Sequence, residues 1–96
     1  MSEVTITRHD HGASGEYQAH VAGSAHIGRL TWETSGANRV ATHTLVPPEI
    51  GGRGVAARLV EALVADARAQ GFRIGSRCSY VDAAFRRHPE WAGLRA

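Results

Sequence analysis

Hydrophobic and polar residues alternate along the first half of the chain, in four short stretches separated by polar turns. In the third stretch, the even positions from His26 to Trp32 fall on one side and the odd positions from Ile27 to Glu33 on the other. A period of two is typical of a β-strand with one buried face. The pattern predicts strands over residues 3–8, 17–21, 25–34 and 39–46, and the short turns predict an antiparallel meander. Gly28 inside the third strand indicates a β-bulge.

The period changes after the fourth strand. Apolar residues then recur every three to four positions, on one face of a helix, at 55, 56, 59, 60, 63, 64 and 67. Gly71 suits the left-handed conformation that commonly ends a helix. Residues 72–78 predict a fifth strand, and a strand–helix–strand unit places that strand parallel to the fourth.

A short helix is predicted to follow over residues 80–87, capped by Ser79 and stopped before Pro89, because proline disfavours helix in the residue that precedes it. Trp91 and Leu94 are predicted to pack the tail against the body. The elements together predict a mixed α/β (α+β) fold, with a four-strand meander, a helix, a parallel fifth strand and a short C-terminal helix. A chain of 96 residues suits a single domain over residues 1–96.

The glycine-rich stretch PPEIGGRG lies between the fourth strand and the long helix. Gly51, Gly52 and Gly54 leave backbone amides uncovered by side chains, just before a helix whose first N–H groups have no partner within the helix. The helix dipole adds partial positive charge there, and such a place accommodates a phosphate. The stretch therefore predicts a site for a phosphate-bearing ligand.

Two known phosphate loops do not fit this stretch. The P-loop requires a lysine, and the chain has none. The dinucleotide fingerprint requires a tight turn from strand into glycine, whereas residues 47–50 intervene here. Charge agrees with a polyphosphate partner, since residues 51–96 carry eight Arg and four acidic residues, against three and five in residues 1–50. A nucleic acid would be attracted by the same charge.

The spacing of the stretch resembles the loop of the GNAT superfamily of acetyl-CoA-dependent N-acetyltransferases, V-x-x-x-x-[Q/R]-x-x-G-x-[G/A]. Val46 occupies the first position, and Gly54 and Ala56 occupy the two small positions. Gly51 departs from the pattern, because the family has Gln or Arg there. The resemblance extends over roughly residues 40–94 to small, uncharacterised GNAT-like proteins with HT-x-V before the loop and C-S-Y-V and H-P-E-[Y/W] after it.

The resemblance implies a trimmed GNAT fold that lacks the early helices and the last strands of the full fold. It implies a protein that binds acetyl-CoA and transfers the acetyl group to an amine of a small molecule or a protein. The fourth and fifth strands would splay apart, and the pantetheine arm would bond to backbone from Thr44 to Val46. The pyrophosphate would lie on the amides of Gly51, Gly52, Arg53, Gly54, Val55 and Ala56.

Three residues are candidates for the chemistry. Cys78 ends the predicted fifth strand and is either a nucleophile that forms an acyl-enzyme, activated by the start of the next helix, or a small buried packing residue. His43 is either the base that deprotonates an incoming ammonium or the Cys78 thiol, or a strand histidine with a satisfied hydrogen bond. A direct attack by the amine would not need both residues.

Tyr80 is the third candidate. It could protonate the departing CoA thiolate, as a tyrosine does in many GNAT enzymes, or belong to the core. In those enzymes the tyrosine usually lies nearer to position 85, where this chain has phenylalanine. Four arginines either face the adenosine 3′-phosphate or are solvated on the surface: Arg53, Arg58, Arg86 and Arg87.

No metal site is predicted. Four histidines on nearby turns and strands suggest one, but no acidic cluster or second cysteine completes a tetrahedral set: His9, His11, His20 and His26. Two other functions are considered: a non-catalytic CoA-binding module, which the trimmed fold implied by the resemblance would suit, and a small basic nucleic-acid-binding domain, which the charge would suit.

Composition also suggests where the protein resides. The chain has one cysteine, which excludes an internal disulfide and favours a reducing compartment. No apolar run approaches the ~20 residues needed to cross a bilayer, and the N-terminus lacks the apolar core of a signal peptide. We expect a cytoplasmic monomer or homodimer, since an unprotected sheet edge can pair with a partner.

Overall fold

The computed structural model describes residues 3–96, which form one sheet, two α-helices and two short 3-10 helices. The strands are β1 Val4–Asp10, β2 Ser14–Val21, β3 Ile27–Ser35, β4 Asn38–Leu45 and β5 Ile74–Ser76; the α-helices are α1 Val55–Gln70 and α2 Ser79–Arg87, and the 3-10 helices are Pro48–Ile50 and Pro89–Leu94. The strands lie across the sheet in chain order, with β1 to β4 antiparallel and β5 parallel to β4. The predicted fold class is therefore confirmed.

The two faces of the sheet differ in burial, as the alternation in β3 predicts. One face contributes buried residues that pack with both α-helices in one core: Tyr17, Ala19, Val21, Leu30, Trp32 and Ala41. The opposite face, here called the open face, carries no buried side chain within residues 3–96: its members include Thr5, Thr7, His9, Glu16, Gln18, His20, Ile27, Arg29, Thr31, Glu33, Val40, His43 and Leu45. Solvent and ligands therefore reach the sheet from the open face.

Gly28 determines where α1 begins on the sheet. A Cβ at Gly28 would lie 2.8 Å from Cγ1 of Val55, the first residue of α1. The bulge expected at Gly28 is wrong, because Gly28 pairs with Ala19 in regular register. A glycine stands there because the helix approaches the strand closely. At its other end α1 stops as predicted, with Gly71 at a φ of 82°.

The last elements differ from expectation in detail. Ser79 is the first residue of α2 and does not cap it; Cys78 holds the N-cap position, without a side-chain cap bond. β5 is shorter than predicted, because the chain leaves the sheet after Ser76. As predicted, α2 stops before Pro89, and Trp91 is buried. Within residues 3–96, neither α-helix combines the length and apolar character needed to span a membrane.

A polar network ties α1 to the end of the sheet where β4 begins. Nε of Arg8 donates to both carboxylate oxygens of Asp66 at 3.0 Å, and the buried Tyr17 hydroxyl donates to Asp66 at 2.8 Å. Arg39 donates to the Tyr17 hydroxyl at 2.9 Å and lies 4.0 Å from the centroid of the Trp32 ring. Burial and the Asp66 carboxylate raise the pKa of Tyr17.

Tyr17→Phe is expected to lower the free energy of unfolding by about 1–3 kcal/mol, because Asp66 and Arg39 lose a shared partner. The pKa of Tyr17 is raised in the folded state, so the unfolded chain releases this proton first, near pH 10. Wild-type stability should then fall above about pH 10, by up to about 1.4 kcal/mol per pH unit from this group. Tyr17→Phe should lack that component in urea unfolding measured at neutral and alkaline pH.

Tyr80→Phe is the matched control, because the Tyr80 hydroxyl bonds to no residue among 3–96. Its stability should stay within about 0.5 kcal/mol of wild type at neutral pH. Equal losses in the two variants would show that the Asp66–Tyr17–Arg39 network contributes nothing measurable.

Candidate functional site

The stretch between β4 and α1 presents a run of backbone N–H groups. Gly52 and Gly54 have φ of 74° and 71°, a left-handed conformation that side chains oppose. Gly54 is the N-cap residue of α1, and its carbonyl accepts the N–H of Arg58 at 3.1 Å. Of the described residues, none accepts a hydrogen bond from the N–H groups of residues 52–57. Open donors thus meet the positive end of the α1 dipole.

The extent of this run differs from the sequence prediction at its two ends. The predicted set of open amides includes Gly51, but the Gly51 N–H donates to the carbonyl of Pro48 at 3.1 Å and is not open. The predicted set omits Ala57, but the Ala57 N–H is open and its side chain is exposed. The side chain of Arg53 forms an ion pair with Glu3. Because Glu3 neutralises Arg53, the open donors and the helix dipole are the features that fit a phosphate ester here.

β4 and β5 separate beside this loop. Ser76 pairs with Ala41 at the end of β5, and the N–H of Arg77 donates the last backbone bond, to the carbonyl of Ala41 at 2.8 Å. β4 continues to Leu45, and no other described element pairs with it on that side. Leu45 is 63% exposed. The gap between the strands is therefore bordered by an unpaired backbone edge.

A β-bulge lies in β4 where the gap begins. The register with β3 shifts after the pair Thr31–His43, which leaves Thr42 as an extra residue. The hydroxyls of Thr31 and Thr42 are 2.6 Å apart. A bulge bends its strand and increases the local twist. This bend is a physical cause for the separation of β4 from β5.

Cys78 lies beside the gap, on the helix side of the sheet. Its Sγ is 3.4 Å from Oγ1 of Thr44, and the residue is 7% exposed. The Ser76 hydroxyl accepts the N–H of Cys78 at 3.1 Å and donates to its carbonyl at 2.9 Å. Because Cys78 is the N-cap residue of α2, its thiol lies at a helix N-terminus. The fold thus brings together two residues, Thr44 and Cys78, that the sequence separates.

His43 approaches the same gap from the opposite side. It pairs with Thr31 on the open face, whereas Thr44 pairs with the buried Leu30 on the helix face. Among residues 3–96, no hydrogen bond joins His43 to Cys78 or to any other side chain. One of the two roles considered for His43 is to accept the Cys78 proton directly. The structure has no hydrogen bond between the two side chains along which this proton could move.

A shallow cavity opens on the open face next to the gap, with a volume of about 270 Å³. It brings together residues from β3, β4 and the segment after β5. They are Glu33, Thr42, His43 and Arg77. Charged and titratable groups thus gather on the side of the gap that solvent reaches.

Tyr80 lies in the first turn of α2, half-buried against the core. The guanidinium carbon of Arg87 is 5.9 Å from its ring centroid. Phe85, nearer to the usual position of the GNAT tyrosine, is buried and packs edge-on against Trp91 with ring centroids 5.5 Å apart. Tyr80 therefore keeps an open hydroxyl, whereas Phe85 has a packing role.

Two histidines of the open face, His9 and His20, form hydrogen bonds with a threonine. Nε2 of His9 and Nε2 of His20 each lie 2.9 Å from Oγ1 of Thr7. In residues 3–96 no group of three or more His, Cys, Asp or Glu side chains could hold a metal ion. Nearby, hydrogen bonds from Gln18 and Arg29 hold the pKa of the Glu16 carboxyl below its usual value.

Residues 16–94 match the model of a protein family described as GCN5-related N-acetyl-transferase. The match covers more than half of the chain, including the loop, the gap and Cys78. The chain belongs to the GCN5-related N-acetyltransferase family. The resemblance noted in the sequence is thus confirmed. The family generally uses acetyl-CoA as donor and amines as acceptors. No curated protein matches the chain.

Sequence reasoning missed three features of this candidate site. The sequence gives no sign of the bulge at Thr42, because threonine fits a strand whichever face of the sheet it lies on. Glu33 and Arg77 are far apart in sequence, and only the order of strands brings their side chains within 2.6 Å. The open N–H of Ala57 could have been found from the sequence, since the third residue of a helix has no partner within it.

Proposed function

We propose that this protein binds acetyl-CoA and transfers its acetyl group to an amine. The observation that carries the proposal is the run of open N–H donors at residues 52–57, adjacent to the unpaired backbone from Thr44 to Val46 at the end of β4. The donors would hold the diphosphate, and the strand edge would bond to the pantetheine arm. Leu45, exposed at this edge, offers apolar surface to that arm.

Cys78 is the proposed nucleophile. The Cys78 thiol gives its proton to solvent, the thiolate attacks the acyl carbon, the carbon–sulfur bond to CoA breaks, and CoA leaves as a thiolate that takes up a proton. The Thr44 hydroxyl, 3.4 Å from Sγ, is placed to donate a hydrogen bond to the Cys78 thiolate. Backbone N–H groups of β4 stabilise the oxyanion of the tetrahedral intermediate. Tyr80, two residues after Cys78 with an open hydroxyl, is proposed to supply the proton to CoA.

His43 is the proposed base for the acceptor. The acceptor ammonium gives a proton to the imidazole, and the neutral amine then forms the C–N bond while the bond to the Cys78 sulfur breaks; the second nitrogen proton goes to the departing sulfur, which restores the thiol. The two steps use opposite sides of the gap, since Cys78 lies on the helix side and His43 on the open face. This division supports separate roles for the two residues.

Titration calorimetry with CoA and release of free thiol from acetyl-CoA test the proposal together. We expect binding with a Kd below about 1 mM, and thiol release that depends on an added amine. Heat without thiol release under a broad panel of amines would favour a CoA-binding module. No heat with either compound would remove the proposal.

Ala57→Glu is expected to weaken CoA binding by about tenfold or more, because a carboxylate would lie among the phosphate donors. The same change should leave the fold as stable as wild type or more stable, since Glu near a helix N-terminus favours the dipole and can cap it. Ala57 is exposed, so the larger side chain meets no packing limit. Calorimetry and thermal unfolding measure the two effects.

Ala57→Gln is the control for charge, because glutamine has the same size and capping capacity without the carboxylate. Its CoA affinity should stay within about threefold of wild type, and only the glutamate variant should respond strongly to salt. Equal affinities for the two variants would place the phosphates elsewhere.

Nucleic-acid binding through base stacking receives no support from the aromatic residues of the described chain. Single-stranded nucleic acids stack on exposed aromatic rings. Both tryptophans, both phenylalanines and Tyr17 are buried, and Tyr80 is half-buried against the core.

A further inference from the structure

The cavity on the open face has charges of both signs around a candidate base. Glu33 and Arg77 form an exposed ion pair, with a distance of 2.6 Å and side-chain exposures of 56% and 64%. His43 lines the same cavity, and its ring nitrogens bond to nothing within residues 3–96. The cavity therefore offers one anionic group, one cationic group and a proton acceptor on the side where the acceptor enters.

Arg77 has unused donors. Its guanidinium has five N–H groups, and Glu33 is the one acceptor that they find in the described part of the chain. Arg77 directly precedes Cys78 in sequence and its side chain reaches Glu33 on the open face, so a group bound to it lies across the gap from the proposed acyl carrier. The planar guanidinium fits a carboxylate with two parallel hydrogen bonds. Exposed ion pairs add little stability, so a ligand can displace Glu33 at small cost.

We propose that the acceptor is an α-amino acid, whose carboxylate binds Arg77 and whose ammonium lies between Glu33 and His43. This inference rests on the proposed function and names the acceptor class for the same site. A zwitterion complements the balanced charge of the cavity better than a simple amine or a polyanion. A cavity of about 270 Å³ holds a small amino acid. Glu33 attracts the ammonium, and His43 removes the proton before the nitrogen attacks.

The test compares glycine with glycinamide in wild type and in Arg77→Gln. Glycinamide keeps the amine but lacks the carboxylate, and because both acceptors meet both proteins, their different amine basicities cancel. Arg77→Gln should raise the KM for glycine about tenfold or more, with kcat changed little, and leave the KM for glycinamide within about twofold. Arg73→Gln is the charge control, since Arg73 is exposed near the other end of β5, and both KM values should be unchanged.

A second measurement does not depend on turnover. The NMR signals of the His43 ring should shift on titration with glycine in wild type and not in Arg77→Gln. Absence of this shift in wild type would overturn the inference, whether or not amines are acetylated. So would equal effects of Arg77→Gln on glycine and glycinamide. Failure of the proposed function is recognised separately, because CoA would then neither bind nor release its thiol.

Discussion

Cys78→Ala is expected to abolish acetylation of the protein and to lower the rate of acetyl transfer by about a thousandfold or more. Mixing wild type with acetyl-CoA in the absence of an acceptor should add one acetyl group, detected by intact mass spectrometry and located at Cys78. The variant should add none, because the chain has no other cysteine. Both proteins should bind CoA equally, since the open amides at 52–57 do not involve Cys78.

His43→Gln separates the two steps. His43 lies on the open face and makes no hydrogen bond with Cys78, so acetylation of Cys78 should persist in this variant. Transfer to the acceptor should slow by about 10²–10⁴-fold, the usual contribution of a general base. The acetylated protein should therefore accumulate, which neither wild type with acceptor nor Cys78→Ala would show.

Retention of transfer in Cys78→Ala at a rate near wild type would contradict the covalent route. The amine would then attack the thioester directly, and Cys78 would be a packing residue. Thermal unfolding should accompany the kinetics, because Cys78 is 7% exposed and its truncation removes contacts in the core. A Cys78→Ala protein that melts like wild type and has lost transfer supports the nucleophile.

Gly15→Ala is expected to cause the largest loss of stability, about 3 kcal/mol or more. A Cβ at Gly15 would overlap Cζ2 of Trp32 and lie 2.5 Å from the carbonyl oxygen of His9. The oxygen belongs to the backbone of the paired strand β1, and Trp32 is 3% exposed in the core. Moving either group would therefore cost considerable free energy. The melting temperature should fall by about 12 °C or more in a domain of this size.

Two other glycines provide a graded comparison. Gly93→Ala meets nothing within 4 Å and should be neutral. Gly28→Ala should be intermediate, because its closest neighbour is a methyl group of Val55, 2.8 Å away, which can shift with its side chain. A melting temperature of Gly15→Ala close to that of Gly93→Ala would show that β1 and Trp32 adjust readily.

The sequence pattern was sufficient for the order and type of the strands and α-helices, but it did not predict the two 3-10 helices. β3, α1 and the helix stop at Gly71 agree closely with prediction, because each depends on local periodicity or local backbone geometry. The ends of β1, β2 and β5 differ from the prediction, because the length of a strand depends on how it pairs with neighbouring strands. The prediction of a bulge at Gly28 is wrong, because a glycine in a strand pattern looks the same in the sequence whether it allows a helix to approach or forms a bulge.

The candidate site, like the fold, was predicted only in part from the sequence. Motif spacing predicted a phosphate loop at the entry to α1 and singled out Cys78, His43 and Thr44. It did not show that Thr44 contacts Cys78 while His43 faces the other way, since the bulge at Thr42 and the register with β3 decide the sides. Tyr80 and Phe85 lie on the same short helix, and only packing shows which of them keeps an open hydroxyl.

The sequence by itself determined the family, the succession of strands and helices, and the glycine-rich entry into α1, because these depend on residues close together in the chain. The tertiary structure decided which side of the gap each candidate side chain occupies, which amides stay open, and that Glu33 and Arg77 meet beside His43. Those outcomes depend on register and on contacts between distant residues, and a one-residue change of register reverses the face of every side chain that follows.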